Sequence, residues 1–366
     1  MILKKNVLRT IFCFLLFSLM LGCEKKKDIS ELKPLFLATN VRKNYVTLID
    51  PKEPYSSFRI DVEKLVNAKN TRDVAYGNDF FATANLRTHN ATMINLNDPR
   101  NPVEVKLANA KSPYAIAYGN KFFAIANIHS NNVSLIDSNN PKTSIEVKFT
   151  NAKGPTDIVF GSKFFATACG YLKDIIVFID PKSPQTPIEV NIGELVGSSS
   201  SRSIAFGSGF FAVCCSKSVV LLKEDNLQKP IRVILSKEEK VRDIVFGNGL
   251  FAVIGVEDNV LRFIDPNAPT KIKEIRGSNA SSEIASGKGF FAIYREYGRS
   301  VTLVNAKNFK STEIKIAKFG AKLVGGMAFN NGLLAIVLDD EVVFIDPKTS
   351  KKVASAKVEA SSIYAK

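Results

Sequence analysis

Four acidic residues recur at one register of this chain. Counting back four positions from a glycine that closes a short apolar run places Asp73, Asp157, Asp243 and Glu283 in one slot, and Arg72, Tyr114, Arg202 and Arg242 stand one residue earlier in theirs. Carboxylates interleaved with guanidinium groups are suited to holding a polar ligand, or to coordinating a cation through oxygen. The competing use is structural: salt bridges between neighbouring units and caps on buried strand ends, which perturb carboxylates just as active sites do. His89 and His129 occupy equivalent turns of successive units, either as solvated loop residues or as a pair close enough to meet. They are the only two histidines, too few for a three-His metal site and the only candidate axial ligands for a haem. The chain contains no nucleophile elbow, P-loop, HExxH, EF-hand loop or paired CxxC. Cys169 and Cys215 share a slot in adjacent units, with Cys214 beside Cys215; blades set more than about 7 Å apart would leave them as buried thiols rather than a disulfide.

These residues are positioned by a repeat. The phrase Phe-Phe-Ala or a near copy stands at residues 80–82, 122–124, 164–166, 210–212, 250–252, 290–292 and 333–335, and a degenerate copy opens the series at Leu35-Phe36-Leu37. The units are 40–46 residues long and built from short apolar β-rich runs, the period of a β-propeller blade. Each unit supplies four strands. An inner strand such as Asp157-Ile158-Val159-Phe160 ends at a glycine, and a tight turn (Gly119-Asn120, Gly161-Ser162, Gly247-Asn248) leads into the Phe-Phe-Ala strand, with Gly and Asn supplying the positive φ of a two-residue hairpin. That second strand is apolar on both faces, as a strand between neighbouring sheets must be. A third strand ends in Asp or Asn at 50, 95, 137, 180, 265, 305 and 346, where the side chain can cap a following turn. An outer strand such as Ile145-Glu146-Val147-Lys148 alternates as an exposed edge does. Helical periodicity of useful length is absent from residue 34 onward.

The fold class expected is therefore all-β, a single eight-bladed propeller over residues 34–366. The chain enters at Leu35 on a second strand and ends at Ser361-Ser362-Ile363-Tyr364-Ala365, which reads as an inner strand; together they complete one blade and remove the open edge. Seven blades would result if the first and last copies shared one blade. The inner strands surround the central channel, so the acidic slot and its arginine neighbours should ring one mouth, on the face that carries His89 and His129.

Two stretches carry a family resemblance. Asn97-Asp98-Pro99-Arg100-Asn101-Pro102-Val103-Glu104-Val105 with Ala115-Ile116-Ala117-Tyr118-Gly119-Asn120-Lys121-Phe122-Phe123-Ala124 resembles the LVIVD repeat of bacterial and archaeal cell-surface proteins. The strand endings at Asn40, Asn85 and Asn127, with Val133-Ser134-Leu135-Ile136-Asp137, are similar to the YVTN propeller repeat. The resemblance covers about residues 34–366 and implies the fold; it implies no activity, since such propellers do many jobs. Cys169, Cys215, Gly255, Arg295 and Leu338 replace the asparagine in the later blades.

The N-terminal residues read as an address. Lys4, Lys5 and Arg9 precede an apolar run from Ile11 to Leu21, too short to span a bilayer comfortably. Met20-Leu21-Gly22-Cys23 resembles a bacterial lipobox, which implies a signal peptide over 1–22, acylation of Cys23 and a charged tether over 23–33. Glu24 differs from the Asp that, by the same resemblance, retains enteric lipoproteins at the inner membrane, so the outer membrane is expected. The full chain carries 50 Lys+Arg against 35 Asp+Glu, a net +15, and loss of residues 1–22 leaves +12. Hydrophobic residues make up 45%, too many for a disordered chain and too few for a polytopic membrane protein. The lysines are dispersed as on a solvated surface. Nucleic acid is not expected; a protein or an anionic glycan is, with the membrane reached through Cys23, no cofactor, and a monomeric state. The function expected is a non-enzymatic outer-membrane lipoprotein that presents its propeller as a binding platform. The alternatives are a periplasm-facing scaffold for outer-membrane protein assembly and a metal-assisted, lactonase-like hydrolase at the channel mouth.

Overall fold

The computed structural model describes residues 36–365, except for the short segments 41–43, 171–173, 198–200, 236–240, 256–259, 278–280, 296–298, 317–323, 339–340 and 359–361. The signal-peptide and tether readings, Cys23 among them, lie outside the described residues.

Eight four-stranded antiparallel sheets follow one another around a ring, which settles the blade count at eight. Blade 1 is the composite one: Phe36 pairs with Ala365, Leu37 with Tyr364, Ala38 with Ile363 and Thr39 with Ser362, so the C-terminal strand Ser362–Ala365 becomes its inner strand. In blades 2 to 8 the inner strands are Thr71–Gly77, Pro113–Gly119, Pro155–Phe160, Ser201–Gly207, Val241–Gly247, Ser281–Gly287 and Val324–Asn330.

Apolar side chains from both faces of each second and third strand fill the spaces between blades. Phe36, Phe81, Phe123, Phe165, Phe211, Phe251, Phe291 and Leu334, one per blade, are fully buried. The core is consequently a series of clusters, each shared by two successive blades; the one that closes the ring packs Phe36, Ala38 and Ile49 of blade 1 against Ala335, Val342 and Phe344 of blade 8. Among the described residues, helix is confined to single turns, as at Val62–Val66, capped by the Asp61 side chain accepting from Lys64 N–H.

The Asx caps form as expected. Asp50, Asn95, Asp137, Asp180, Asp265, Asn305 and Asp346 each accept, through Oδ1, the N–H two residues on, at 2.8–2.9 Å. The strand-closing glycines act differently from expectation. The left-handed residues of the inner hairpins are the two that follow the glycine: Asn78 and Asp79, Asn120 and Lys121, Ser208 and Gly209, Asn248 and Gly249. The glycine itself lies outside that region and is required for close approach. A Cβ at Gly77 would enter the Tyr118 ring of the next blade, one at Gly119 the Phe160 ring, and one at Gly207 the Phe246 ring. Each of these rings also packs on the buried phenylalanine of its own blade, with centroids 4.7–4.9 Å apart. Blade 4 departs from the hairpin rule: there Glu224 of blade 5 accepts from the N–H groups of Ser162, Lys163 and Phe164 and from the Ser162 hydroxyl, and stabilises the turn from outside.

Candidate functional site at the channel mouth

Every inner strand of blades 2 to 8 begins with a β-bulge. The register slips between Thr71 and Asp73, Pro113 and Ala115, Pro155 and Asp157, Ser201 and Ile204, Val241 and Asp243, Ser281 and Glu283, and Val324 and Gly326. A bulge breaks the strict alternation of a strand and re-aims side chains. Consecutive residues thereby reach the same space: Arg72 and Asp73, Tyr114 and Ala115, Thr156 and Asp157, Arg242 and Asp243, with Ser203, line one cavity of about 420 Å³ contributed by blades 2 to 6. Arg72 and Arg242, on blades 2 and 6, stand four blades apart in a ring of eight.

Each carboxylate ties two blades together while it faces the channel. Asp73 accepts from Val74 N–H through Oδ1 and from Ile116 N–H of blade 3 through Oδ2, both at 2.9 Å. Asp157 repeats this with Ile158 (2.8 Å) and Ile204 of blade 5 (2.9 Å). Asp243 Oδ1 accepts from Ile244 N–H and from the Ser203 hydroxyl, both at 2.8 Å; its Oδ2 has no hydrogen-bond partner among the described residues. Glu283 lies outside the cavity and accepts from Met327 N–H of blade 8 at 2.8 Å. The interblade ties of Asp73, Asp157 and Glu283 are thus made to backbone N–H groups, and that of Asp243 to the Ser203 hydroxyl. Arg72 and Arg242, one position earlier in the bulge, sit exposed at the rim, while the carboxylates are half-buried below them. Arg72 donates to Tyr114 Oη at 2.8 Å, with its guanidinium 4.6 Å from the ring centroid. Arg202 holds the matching position of blade 5, and its side chain lies outside the described residues.

Burial governs the titration of this ring. It pushes the Asp157 carboxyl up to about 7, against the hydrogen bond from Ile204 and with the added repulsion of Asp243 and Asp73. Burial likewise lifts Glu283 to about 7, aided by Asp243, and raises Asp243. Burial also holds the neighbouring Cys214 thiol far above its ordinary value. Cys169, Cys214 and Cys215 are free and buried, as expected.

The two histidines meet at Ser112, which neither reading of them anticipated. Ser112 N–H donates to His89 Nδ1 at 3.0 Å, and the Ser112 hydroxyl bonds His129 Nδ1 at 2.8 Å. His89 stands where the flanking blades use asparagine: Asn44 Oδ1 accepts from Asn70 N–H, and Asn131 Oδ1 from Gly154 N–H, both at 2.8 Å. It is an interblade clasp, with Nδ1 as the acceptor and the proton therefore on Nε2. Thr156 and Ser203 line the cavity without having been singled out from the sequence; they fall in the same two slots, counted from the glycine, as Arg72 and Asp73. Among the described residues no group of three or more His, Cys, Asp and Glu is placed to hold a metal ion.

No protein-family model and no curated protein matches the chain. Solved structures do. It is similar to apo AztD from Citrobacter koseri, at 12% identity and a TM-score of 0.67, covering 90% of this chain and 97% of that one. It is similar to the dihydro-heme d1 dehydrogenase NirN in complex with DHE, at 13% and 0.71, covering 91% and 75%. It is also similar to virginiamycin B lyase from Staphylococcus aureus, at 13% and 0.59, covering 73% and 91%. At such identities the likeness shows the propeller fold, a scaffold on which unrelated sites are carried.

Proposed function

We propose that this chain is a non-enzymatic, lipid-anchored envelope protein whose propeller is a rigid binding disk, with its ligand seated at the channel mouth. The observation that carries the reading is the cavity itself. Its volume of about 420 Å³ falls in the range of small-molecule sites. Asp73 and Asp157 are locked by hydrogen bonds to the backbone of neighbouring blades and Asp243 by the Ser203 hydroxyl, so these carboxylates need little ordering on binding. A metal-assisted hydrolase at the same mouth would need carboxylates converging on one ion, whereas Asp73, Asp157 and Asp243 stand on blades 2, 4 and 6 with another blade between each pair.

The seat is tested by a thermal-shift screen of envelope metabolites and glycan fragments against the wild type and Arg72→Gln. Ligands that raise Tm by several degrees in the wild type and fail to in the variant are expected. Ligands that stabilise both equally would move the binding face elsewhere, and turnover of a ligand would replace the binding reading with an enzymatic one.

The anchor rests on Met20-Leu21-Gly22-Cys23. Cys23→Ser is expected to shift the protein from the membrane to the soluble fraction of the envelope. Protease added to intact cells should then remove the wild-type disk if it faces outward; survival until the outer membrane is broken would favour a periplasm-facing assembly scaffold.

A further inference from the structure

The cavity is layered by charge. Its floor holds Asp73, Asp157 and Asp243, half-buried, and its rim holds Arg72 and Arg242, exposed, with the Tyr114 hydroxyl between the rim and the wall. Asp157 feels the charge of Asp243 and Asp73 in addition to its burial, and the exposed Arg242 draws Asp243 the other way without overcoming its burial. The cavity therefore presents negative potential below and positive potential above. A bare metal ion would require several oxygens within coordination distance, and no such group exists among the described residues. An ammonium group needs only hydrogen-bond acceptors, and Asp243 Oδ2 is an acceptor that no described residue uses. A carboxylate at the other end of the same molecule meets two guanidinium groups, its natural partners.

We propose that the channel-mouth cavity takes a small zwitterion, an amino acid or short peptide, with its ammonium on the floor between Asp157 and Asp243 and its carboxylate at the rim between Arg72 and Arg242. The proposal rests on the reading of this cavity as the ligand seat. It goes further by naming what sits there and which way round.

The test offers the purified propeller three pools by equilibrium dialysis with mass-spectrometric readout: free amino acids and dipeptides, the same molecules N-acetylated, and the same molecules C-amidated. Retention of members of the free pool is expected, with blocking of either end weakening binding by about tenfold or more, the size of one charge-assisted interaction. Two variants assign the ends. Asp243→Asn keeps the Oδ1 that accepts from Ile244 and Ser203 and changes only the unused oxygen to an amide nitrogen, so the fold should be preserved, as its Tm would confirm. In that variant the difference between free and acetylated ligand should vanish. In Arg242→Gln the difference between acid and amide should shrink while the acetyl effect remains. Equal retention of free and blocked pools, or retention of nothing, overturns the zwitterion. If Arg72-dependent ligands nevertheless emerge from the thermal-shift screen, the cavity remains the seat and only its ligand class is wrong; if none emerge, both readings fall.

Discussion

Replacing Gly207 by alanine is expected to destabilise the propeller by about 3 kcal/mol and to lower Tm by roughly 6 °C. The added methyl would enter the Phe246 ring of the next blade, and that ring cannot retreat because it packs on Phe251 at a centroid distance of 4.9 Å. The usual gain from removing a glycine, up to about 1 kcal/mol through the unfolded chain, is too small to compensate. Blade 7 supplies the internal control. There serine, Ser286, replaces the aromatic residue, and a Cβ at Gly247 would meet the Ser286 Cβ at 2.8 Å, a smaller overlap than the 2.1 Å approach to the Phe246 ring. Gly247→Ala should therefore cost less than half as much. Pairing Gly207→Ala with Phe246→Ser should cost at least about 1 kcal/mol less than the two changes summed, because the second removes what the first collides with. Equal losses for Gly207→Ala and Gly247→Ala in thermal denaturation would show that backbone conformation, rather than ring contact, sets the requirement.

Between pH 5 and pH 8 the propeller should become less stable, with a fall in Tm of roughly 5 °C. Asp157 and Glu283 hold their protons up to about 7 in the folded state because burial opposes their charge. In the unfolded chain the same groups ionise near 4. The folded state therefore binds more protons throughout this interval; the stabilisation is complete below the unfolded values and is lost as pH rises through about 7. Groups of the opposite sign act in a different window. Glu146 pays for some burial but is held low by hydrogen bonds from Asn109 and Asn132, and Glu63 is held low by Asn44 and then Lys69, so their contribution is lost only as pH falls below their ordinary range. Asp157→Asn combined with Glu283→Gln should flatten the profile between pH 5 and pH 8. The slope is the readout, because an amide at 157 presents a donor to one of the two N–H groups that the carboxylate accepts and so lowers Tm at every pH. An unchanged slope in the double variant would assign the effect to other groups.

Much of the architecture is legible in local pattern. The recurring Phe-Phe-Ala strand announces burial on both faces, the Asx residue announces its turn, and the terminal Ser362-Ile363-Tyr364-Ala365 announces the strand that closes blade 1, because alternation, turn chemistry and period are properties of neighbouring residues. The acidic slot was legible by the same counting, as were Thr156 and Ser203 had the count been carried through every blade. The bulge was not legible. Strict alternation would send Arg72 and Asp73 to opposite sides of their strand, and only the slipped pairing with Asn85 and Ala84 turns both toward one cavity. The same limit explains the glycines, which look like turn residues until Tyr118, Phe160 and Phe246 arrive from the next blade, and His89, which looks like a solvated loop residue until Ser112 supplies its N–H. A propeller repeat specifies each blade within about 40 residues of chain. The partners that decide what Asp157, Gly207 or His89 does lie a whole repeat away, and packing alone brings them together.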